Sequence, residues 1–366
     1  MKVVLAPDSF KGTAAAAEAA TALAVGWHSV RPQDELLTRP MADGGEGTMA
    51  AVVAATPGAV LRRVRGCTGP DGRPVTGAYA LLPDGTALVE LAVASGLPLM
   101  AAPAPLTATT RGTGQLIAAA LAAGARRVTV ALGGSASTDG GAGLLTALGL
   151  RLLDGQGAQL PDGGAALAGA RRADVSRLLP PPPGGVRLLT DVTNPLLGPD
   201  GAAAVYGPQK GAGPREVRLL EAGLTRLAAV LGGDPAAPGA GAAGGTAYGL
   251  AAVWDAVTTP GAGAVADLLR LDEALTGADL VITGEGRFDA TSLRGKAVGE
   301  VLRRTRRAGR PTVVIAGEAA EPAVTATESA DPAVHTLTRL AGSAEAARSR
   351  PLHWLRRAGA LLAARY

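Results

Sequence analysis

Four charged side chains lie among glycines towards the C-terminal end of the chain, and such groups could bind an anion or a metal ion. The charged residues are Glu285, Arg287, Asp289 and Lys296, and the glycines are Gly284, Gly286 and Gly295. Carboxylates are ligands for Mg²⁺, whereas Arg and Lys bind phosphate and carboxylate groups. Glycine lets a backbone come close to a ligand.

The residues just before this charged stretch predict the strand that positions it. Residues 278–283, ADLVIT, form a short apolar run rich in β-branched residues, which is typical of a buried strand. We expect the strand to stop at Gly284. In an open α/β sheet, ligands lie beyond the carboxyl ends of the strands, so the charged stretch is predicted to line a ligand site.

Lysine usage points to further loops. The chain has four lysines against 31 arginines, and three of them, Lys11, Lys210 and Lys296, lie in polar loops next to glycine. A lysine ammonium is a compact point charge that binds phosphate, a role that Arg does not simply replace. We therefore predict that these lysines bind anionic groups, with chance placement as the alternative.

The first strand-to-helix junction carries an acid, hydroxyls and a lysine. Residues 2–6 predict a strand, followed by Asp8, Ser9 and Lys11, and Thr13 is expected to cap a helix that runs to about residue 27. These side chains could bind a small polyol or a phosphate. An ordinary turn with a cap is the alternative.

The second junction repeats this arrangement. Residues 35–41 predict a strand, and Asp43 and Glu46 follow it among glycines before the next helix. The interval of about 35 residues between the two strands is typical of a parallel βαβ unit. Two such junctions favour one shared site more strongly than either does alone.

A glycine-rich loop follows the strand predicted at 127–132. Its residues of interest are Gly133, Gly134, Ser135, Asp139, Gly140 and Gly141. Free backbone N–H groups, hydroxyl donors and a helix starting near residue 144 predict a phosphate cradle. No Gly-Lys-Ser/Thr follows, so this is not a Walker A loop. A plain glycine-rich connector is the alternative.

Two other segments carry patterns that are typical of binding sites. Asp191 and Asn194 follow a strand predicted at 186–190, and they could hold Mg²⁺ or take a hydroxyl proton, although Asn-Pro also forms turns. Gly239, Gly241 and Gly244 match a dinucleotide-binding glycine pattern, but no strand precedes them. We therefore predict that the Gly-Ala repetition at 239–249 is a mobile loop, entering a helix at Leu250.

Composition excludes several classes of protein. A net charge of +4 with 2% aromatic residues offers little to bind and stack nucleic acid, so no nucleic-acid partner is expected. The one cysteine, Cys67, rules out an internal disulfide and suits a reducing compartment. Neither a signal peptide nor an apolar run of about 18 residues is present, so we expect a cytoplasmic protein without a membrane partner.

The order of the predicted elements indicates two α/β domains. The pattern of residues 60–106 predicts antiparallel hairpins. The C-terminal part resembles the N-terminal βαβ segment, because it contains strands predicted at 311–317 and 334–340 and a last helix at 352–366. We predict a parallel-sheet, flavodoxin- or Rossmann-like domain, discontinuous in sequence, formed by residues 1–65 and 275–366. A mixed-sheet α/β domain, residues 66–274, is predicted to be inserted into it.

Taken together, these loops resemble the bacterial type I glycerate kinase family. The matching stretches are PDSFKGT, MADGGEGT, TRGTG, ALGGSASTDGGAG, DVTNPLLGPDGA, GPQKGA, GAGAAGG and TGEGRFD, in the family's order and over nearly the whole chain. Two departures are Ser137-Thr138, where the family usually has Thr-Asn, and Thr291, where it commonly has Gln. Both keep a polar side chain, so they affect fine substrate contacts more than the reaction.

The resemblance implies a two-domain α/β enzyme with its active site in the cleft between the domains. It implies transfer of the γ-phosphoryl group of ATP to D-glycerate with Mg²⁺, most often to give 2-phosphoglycerate. Phosphoryl transfer needs positioned substrates, neutralised charge and one proton acceptor rather than covalent chemistry, which agrees with the residues found.

Residue roles follow from the resemblance and from the chemistry of each side chain. Asp191 is the first choice for the general base, and Asp8 is its competitor. The predicted catalytic residues are Asp191, Asp8, Lys11 and Lys296; the predicted substrate-binding residues are Ser9, Asp43, Glu46, Arg287 and Asn194. The predicted nucleotide-binding residues are Gly133, Gly134, Ser135, Asp139, Gly140, Gly141 and Lys210, and the predicted metal ligands are Glu285 and Asp289.

Some alternatives stay open at this level. The sequence does not decide between the 2- and the 3-hydroxyl as acceptor, and a homodimer is one option for the oligomeric state. A kinase for another small hydroxy acid is the nearest alternative function. A non-catalytic sugar-acid sensor on the same fold is an alternative from a different class.

Overall fold

Strands and helices alternate along most of the chain. The structure is a computed structural model that describes residues 1–293, 295–320 and 332–366. The strands are β1 Lys2–Pro7, β2 Glu35–Thr38, β3 Val60–Thr68, β4 Pro74–Leu81, β5 Thr86–Glu90, β6 Arg127–Ala131, β7 Arg151–Leu153, β8 Arg172–Asp174, β9 Val186–Leu189, β10 Val257–Thr259, β11 Leu280–Phe288, β12 Thr312–Ala319 and β13 Ala333–Thr336. The α-helices are α1 Ala16–His28, α2 Thr48–Ala55, α3 Ala92–Ser95, α4 Arg111–Ala122, α5 Ala142–Ala147, α6 Ala202–Tyr206, α7 Pro214–Leu231, α8 Ala242–Trp254, α9 Gly261–Leu268, α10 Leu271–Leu275, α11 Ala297–Arg307, α12 Leu337–Ala341, α13 Ala344–Ser349 and α14 Pro351–Arg365.

The chain groups into two compact units. The first comprises Met1–Asp43, Ala50–Pro57 and Pro260–Tyr366, and the second comprises Gly44–Met49 and Gly58–Thr259. Whether these units fold as the domains predicted at 1–65 with 275–366 and at 66–274 stays a prediction, because a compact unit is not by itself an independently folding domain.

The first unit contains a parallel sheet in the strand order β13-β12-β11-β1-β2. Its central strands, β1 and β11, are nearly continuous runs of buried apolar residues, as expected for a parallel sheet that is covered on both faces. Helices α1 and α14 pack closely on each other in this unit, where a side chain at Gly26 would lie 1.9 Å from the carbonyl oxygen of Arg356. The parallel sheet therefore forms as predicted.

The second unit contains a mixed sheet in the order β10-β9-β6-β5-β4-β3. Strands β3, β4 and β5 pair antiparallel, and β5, β6, β9 and β10 pair parallel. The hairpins predicted within residues 60–106 are thus present, and the predicted two-part α/β fold class is confirmed. Strands β7 and β8 form a separate antiparallel pair.

Three local predictions are wrong. Strand β11 does not stop at Gly284 but pairs with β12 up to Phe288, because both strands continue in register through the glycines. Thr13 does not cap α1, since its hydroxyl donates to the carbonyl of Phe10, and the helix starts at Ala16. The last predicted strand ends at Thr336, whose hydroxyl caps α12 by accepting the amide of Arg339.

The predicted mobile loop at 239–249 is also wrong. This segment is largely buried, and it forms the start of α8, with left-handed backbone at Ala243, Gly244 and Gly245. Gly244 lies so close to the loop at 133–143 that a Cβ would meet the carbonyl oxygen of Ser137 at 2.1 Å. Glycine at position 244 therefore allows close packing and does not indicate a mobile loop. Among the described residues, no helix is both long and apolar enough to cross a membrane.

Candidate functional site

A polar pocket of about 320 Å³ lies at the carboxyl ends of the parallel strands in the first unit. It is lined by eight of the side chains singled out from the sequence, namely Asp8, Ser9, Lys11, Asp43, Glu285, Arg287, Asp289 and Lys296. Residues that are far apart in sequence meet here because β1, β2 and β11 are parallel and end at the same edge of the sheet. The expected juxtaposition of these loops is therefore observed.

Asp8 is a buried acid of this pocket. It follows β1 directly, its amide donates to the carbonyl of Gly284 at 2.8 Å, and its side chain accepts the amide of Ser9 at 2.6 Å. The residue is 8% exposed. Burial raises the pKa of Asp8 to about 7, and the charges of Asp43 and Glu285 add to this effect, while the Ser9 amide opposes it.

Glu285 lies on β11 within paired strand rather than in a loop. It is 7% exposed, and burial raises the pKa of its carboxyl group. Its Oε1 atom is buried and has no hydrogen-bond partner among the described residues. Glycine is required at position 284 by a close backbone contact, since a Cβ there would lie 2.0 Å from the carbonyl oxygen of Ile315. The sheet thus places at the pocket a carboxylate oxygen that has no partner among the described residues.

The opposite charges at the pocket's rim are linked through Thr291. The ammonium of Lys296 donates to the Thr291 hydroxyl at 2.9 Å, and this hydroxyl donates to Asp289 at 2.6 Å. Bonds from Thr291 hold the pKa of Asp289 below its usual value, and Arg287 lies 3.5 Å from the same carboxylate. Thr291 therefore positions both a cation and an acid.

The donors of the pocket bear on the predicted Mg²⁺ site. No group of three or more His, Cys, Asp or Glu side chains in the described parts of the chain is arranged to hold a metal ion. Mg²⁺ commonly uses only one or two protein carboxylates together with substrate phosphates and water. The unpartnered oxygen of Glu285 fits such a shared site. Asp289 is engaged by Thr291, so its predicted role as a ligand stays a prediction.

Sequence reasoning missed part of the pocket wall. Glu318 at the end of β12, Thr338 in α12 and Arg348 in α13 also line it. Glu318 and Arg348 form an ion pair of 2.6 Å between largely exposed side chains. The position of Glu318 just after the strand predicted at 311–317 was a usable signal, because the same rule identified Glu285. The helical residues carried no comparable pattern.

The glycine-rich loop at 133–143 lies in the second unit and is anchored by Asp139. This acid is completely buried, and it accepts the amide and the hydroxyl of Thr110 at 2.9 and 2.8 Å. It also accepts the amides of Gly141 and Gly143, both at 3.2 Å. Burial nevertheless raises its pKa. Asp139 therefore stabilises the conformation of the loop through buried hydrogen bonds.

The expectation of free amides in this loop is wrong for its second half. The amide of Gly140 donates to the carbonyl of Gly244, that of Ala142 to the carbonyl of Asp139, and that of Leu144 to the hydroxyl of Thr110. In the first half, the amides of Gly133 and Gly134 make no hydrogen bond within the described chain. The cradle expected for phosphates is thus restricted to residues 133–135, and the nucleotide roles of Asp139, Gly140 and Gly141 stay predictions without a free donor.

Lys210 approaches the same loop from inside the second unit. It is only 3% exposed, and its ammonium group donates to the carbonyl oxygen of Ser137. Burial lowers the pKa of Lys210 to about 8, while the negative charge of Asp139 opposes this shift. Lys210 thus carries a positive charge at neutral pH and directs it at the backbone of the loop.

The remaining predicted residues are more exposed and also belong to the second unit. Asp191 is an exposed side chain just beyond β9. The side chain of Asn194 is engaged at both ends, because it donates to the carbonyl of Asp200 at 2.8 Å and accepts the hydroxyl of Tyr206 at 2.7 Å. Glu46 is exposed in the loop before α2. The structure therefore gathers one group of predicted residues around the pocket and the other in the second unit.

Comparison with known proteins agrees with this architecture. A sequence profile of the Glycerate kinase family matches residues 3–366. A glycerate kinase of Bacillus subtilis (strain 168) is 42% identical over 87% of this chain and 85% of its own length, and a glycerate 2-kinase of Escherichia coli (strain K12) is 41% identical over the same shares. A crystal structure from Salmonella typhimurium LT2, provisionally named glycerate kinase 2, superposes with a TM-score of 0.85 at 38% identity, covering 100% of this chain and 98% of that one.

The fold is of the mixed α/β class that the sequence predicted, and the profile and the named relatives show that the protein is a kinase. The fold alone does not identify the family. The profile match over nearly the whole chain and the sequence identity to the relatives do identify it. The chain belongs to the glycerate kinase family.

Proposed function

We propose that this chain phosphorylates D-glycerate with ATP and Mg²⁺ to give 2-phosphoglycerate. The observation that carries the proposal is the pocket at the carboxyl ends of the parallel strands, where Lys11, Arg287 and Lys296 face Asp8 and Glu285. A small hydroxy acid needs cations for its carboxylate and an acid that accepts its hydroxyl proton. The relatives named glycerate kinase and glycerate 2-kinase support glycerate as the acceptor.

Binding of the acceptor depends on the cations of the pocket. Arg287 can form two parallel hydrogen bonds to a carboxylate, whereas Lys11 and Lys296 act as point charges towards the carboxylate or the transferred phosphoryl group. Ser9 and Asp43 can bind the hydroxyl groups. Together these contacts would hold the acceptor in one orientation, which accounts for much of the catalysis in phosphoryl transfer.

Two acids compete for the acceptor's proton. A general base works best when its pKa is near the pH at which the enzyme operates. Asp8 meets this condition, since burial raises its pKa to about 7, and it lies in the same pocket as the cations. Asp191, the first choice from the sequence, is exposed beyond β9. These observations support Asp8, and both acids remain candidates.

The donor nucleotide would be bound by the backbone of the second unit. The amides of Gly133 and Gly134 offer donors to phosphate oxygens, whereas the Ser135 hydroxyl already donates to the carbonyl oxygen of Ser137 or Ala243, each at 3.4 Å. Lys210 supports this segment through the carbonyl of Ser137. Mg²⁺, when bound, neutralises charge on the phosphates. Glu285 would hold it through the oxygen that lacks a partner in the described chain.

The test is a coupled ADP-release assay with Mg·ATP and D-glycerate, followed by ³¹P NMR of the product. We expect ADP release that depends on glycerate and a signal from 2-phosphoglycerate. Lys11→Ala should raise the KM for glycerate by about tenfold or more, because it removes a charge-assisted contact. Lys2→Ala is the matched control, since Lys2 starts β1 at the other end of the strand and its ammonium binds the carbonyl of Thr276.

Other outcomes would replace the proposal. Turnover with a related hydroxy acid but not with glycerate would leave a kinase with a different acceptor. A signal from 3-phosphoglycerate would move the reaction to the other hydroxyl. Binding of D-glycerate in calorimetry without ADP release from any hydroxy acid would favour the non-catalytic sensor.

A further inference from the structure

Glu90 is a buried carboxylate to which none of the roles above is assigned. It is the last residue of β5, opposite Ala131 of β6, and it is 4% exposed. Burying a carboxylate without hydrogen-bond partners is energetically unfavourable. Its partners therefore indicate what it does.

Both oxygens of Glu90 accept backbone amides from the beginning of α2. The amide of Gly47 donates to Oε1 at 3.0 Å, and the amide of Met49 donates to Oε2 at 3.1 Å. The first N–H groups of a helix have no partner within the helix, and the positive end of the helix dipole favours a carboxylate beside them. Glu90 thus fixes the chain at residues 47 and 49 from a rigid strand.

The other side of the same segment is held by close backbone packing. A Cβ at Gly133 would lie 2.5 Å from the Cα of Gly45, which means that the two backbones are in direct contact. Gly133 belongs to the segment proposed to bind phosphates. Residues 44–49 are therefore held between an anchor from β5 and the glycine-rich loop after β6.

Glu46 lies between these two anchors and is exposed. Its negative charge contributes to raising the pKa of Glu90, after the larger effect of burial, so the two carboxylates lie near each other. A loop of small residues such as Gly44-Gly45-Glu46-Gly47 would not hold a side chain in one direction without external contacts. The anchors supply those contacts.

We infer that Glu90 is a positioning residue for substrate binding, which fixes residues 44–49 and with them the direction of the Glu46 side chain. This inference rests on the proposed function and on the sequence prediction that Glu46 binds substrate. Glu90 itself is buried and contacts backbone, so it acts through the loop.

The first experiment is a double-mutant cycle on the KM for D-glycerate. In Glu90→Gln the side chain keeps its length, but one acceptor oxygen becomes an amide group that faces an N–H donor, so one anchor bond is lost. We expect the KM for glycerate to rise about tenfold with a smaller change in kcat, within the 10- to 100-fold range typical of residues that orient a functional side chain. Glu46→Ala should raise the same KM, and the double variant should match Glu46→Ala. Fold-changes that multiply would overturn the inference.

Asp154→Ala is the control. The Oδ1 atom of Asp154 accepts two backbone amides, from Gln156 and Ala158, each at 2.9 Å, in a turn that follows β7. Replacement by Ala removes both bonds without touching residues 44–49. An increase of the glycerate KM equal to that of Glu90→Gln would show a general loss of stability instead of positioning.

The second experiment does not depend on activity. Hydrogen exchange at the amides of Gly47 and Met49 is measured in the wild type and in Glu90→Gln, and we expect exchange to be at least about tenfold faster in the variant. If the wild type does not phosphorylate glycerate, the proposed function fails while this measurement still tests the anchor. Unchanged protection of both amides in the variant would overturn the anchor itself, whatever the kinetics.

Discussion

The ammonium group of Lys210 donates its hydrogen bond to the carbonyl oxygen of Ser137, in the interior of the second unit. A buried lysine retains its charge only where the surroundings compensate for lost hydration, and here Ser137 and the charge of Asp139 do so in part. Burial still lowers the pKa of Lys210 to about 8.

From this contact we predict a pH dependence of ATP binding. The ammonium form exists below the pKa and is lost as the pH rises through about 8. The KM for ATP should therefore rise above pH 8 in the wild type. Lys210→Met removes the charge but keeps apolar volume, so it should raise the KM for ATP about tenfold at pH 7 and flatten its pH dependence. An unchanged KM in Lys210→Met would restrict this lysine to a structural role.

A second prediction separates the two candidate bases. Loss of a general base typically lowers turnover by about 10²- to 10⁴-fold. We expect Asp8→Asn to fall in this range and to lose the rise of kcat/KM through about pH 7 that the pKa of Asp8 predicts. Asp191→Asn should lower turnover less while leaving the affinity for ATP nearly intact. The reverse order of the two variants would return the role to Asp191.

The pKa of Asp8 also predicts how stability depends on pH. The folded protein holds a proton that the unfolded chain releases, since the pKa is about 7 in the fold against an ordinary 3.8. Wild-type stability should therefore fall as the pH rises from about 4 to 7, relative to Asp8→Asn, and the difference should stay constant above pH 7. Urea unfolding of both proteins across this range measures it.

Asp34 provides a control of opposite sign. Its pKa lies below the usual value, because its carboxylate accepts hydrogen bonds from the N-terminal amine and Arg31. Asp34→Asn should therefore lose stability relative to the wild type above about pH 4, and the difference should shrink as the pH falls. Curves of the same sign for both variants would contradict the assignment for Asp8.

The sequence was a good guide where local pattern and sheet geometry agree. β-branched runs identified β1 and β11, and the rule for carboxyl ends of strands placed Asp8, Asp43 and Glu285 in one pocket before any contact was known. The role of glycines was predicted less well, because a glycine can indicate either a flexible backbone or close packing. At Gly244 the cause is packing against Ser137, which no pattern within 239–249 could reveal.

The contacts that position side chains could not be predicted from the sequence for a similar reason. Glu90 ends an ordinary buried strand, and its partners lie more than 40 residues away in sequence. Thr291 was noticed only as a departure from the usual family residue, although it connects Lys296 with Asp289. Such roles depend on tertiary contacts, which composition and spacing do not encode.

A fourth prediction concerns an ion-pair network in the first unit that lies outside the pocket. Arg304 of α11 has a side chain only 6% exposed, and it pairs with Asp267, Asp272 and Glu300 at 2.6 to 2.9 Å. Arg304→Met would leave Glu300 without this partner in a poorly hydrated position. We expect a loss of ~2–3 kcal/mol in the free energy of unfolding, below the full cost of a buried pair because the two aspartates are half-exposed.

The neighbouring arginine offers a matched control for this network. Arg303 also binds Glu300, at 2.6 Å, but its own side chain is 57% exposed. Exposed ion pairs contribute little, so Arg303→Met should cost less than ~1 kcal/mol. Equal losses in urea unfolding would show that burial of Arg304 has no energetic consequence.

The last prediction tests whether glycines of the start of α8 are required by packing. Gly244 has a left-handed backbone with φ of 66°, and a Cβ there would lie 2.1 Å from the carbonyl oxygen of Ser137. Gly342 also has a left-handed backbone, with φ of 84°, but a Cβ there would meet nothing within 4 Å. Left-handed backbone alone costs a non-glycine residue ~1–2 kcal/mol, so Gly342→Ala should lose about that much stability. Gly244→Ala should lose clearly more, ~3 kcal/mol or above, because the loop at 133–143 must also move, and its KM for ATP should rise. Equal losses of stability for both variants would show that this contact does not support the loop.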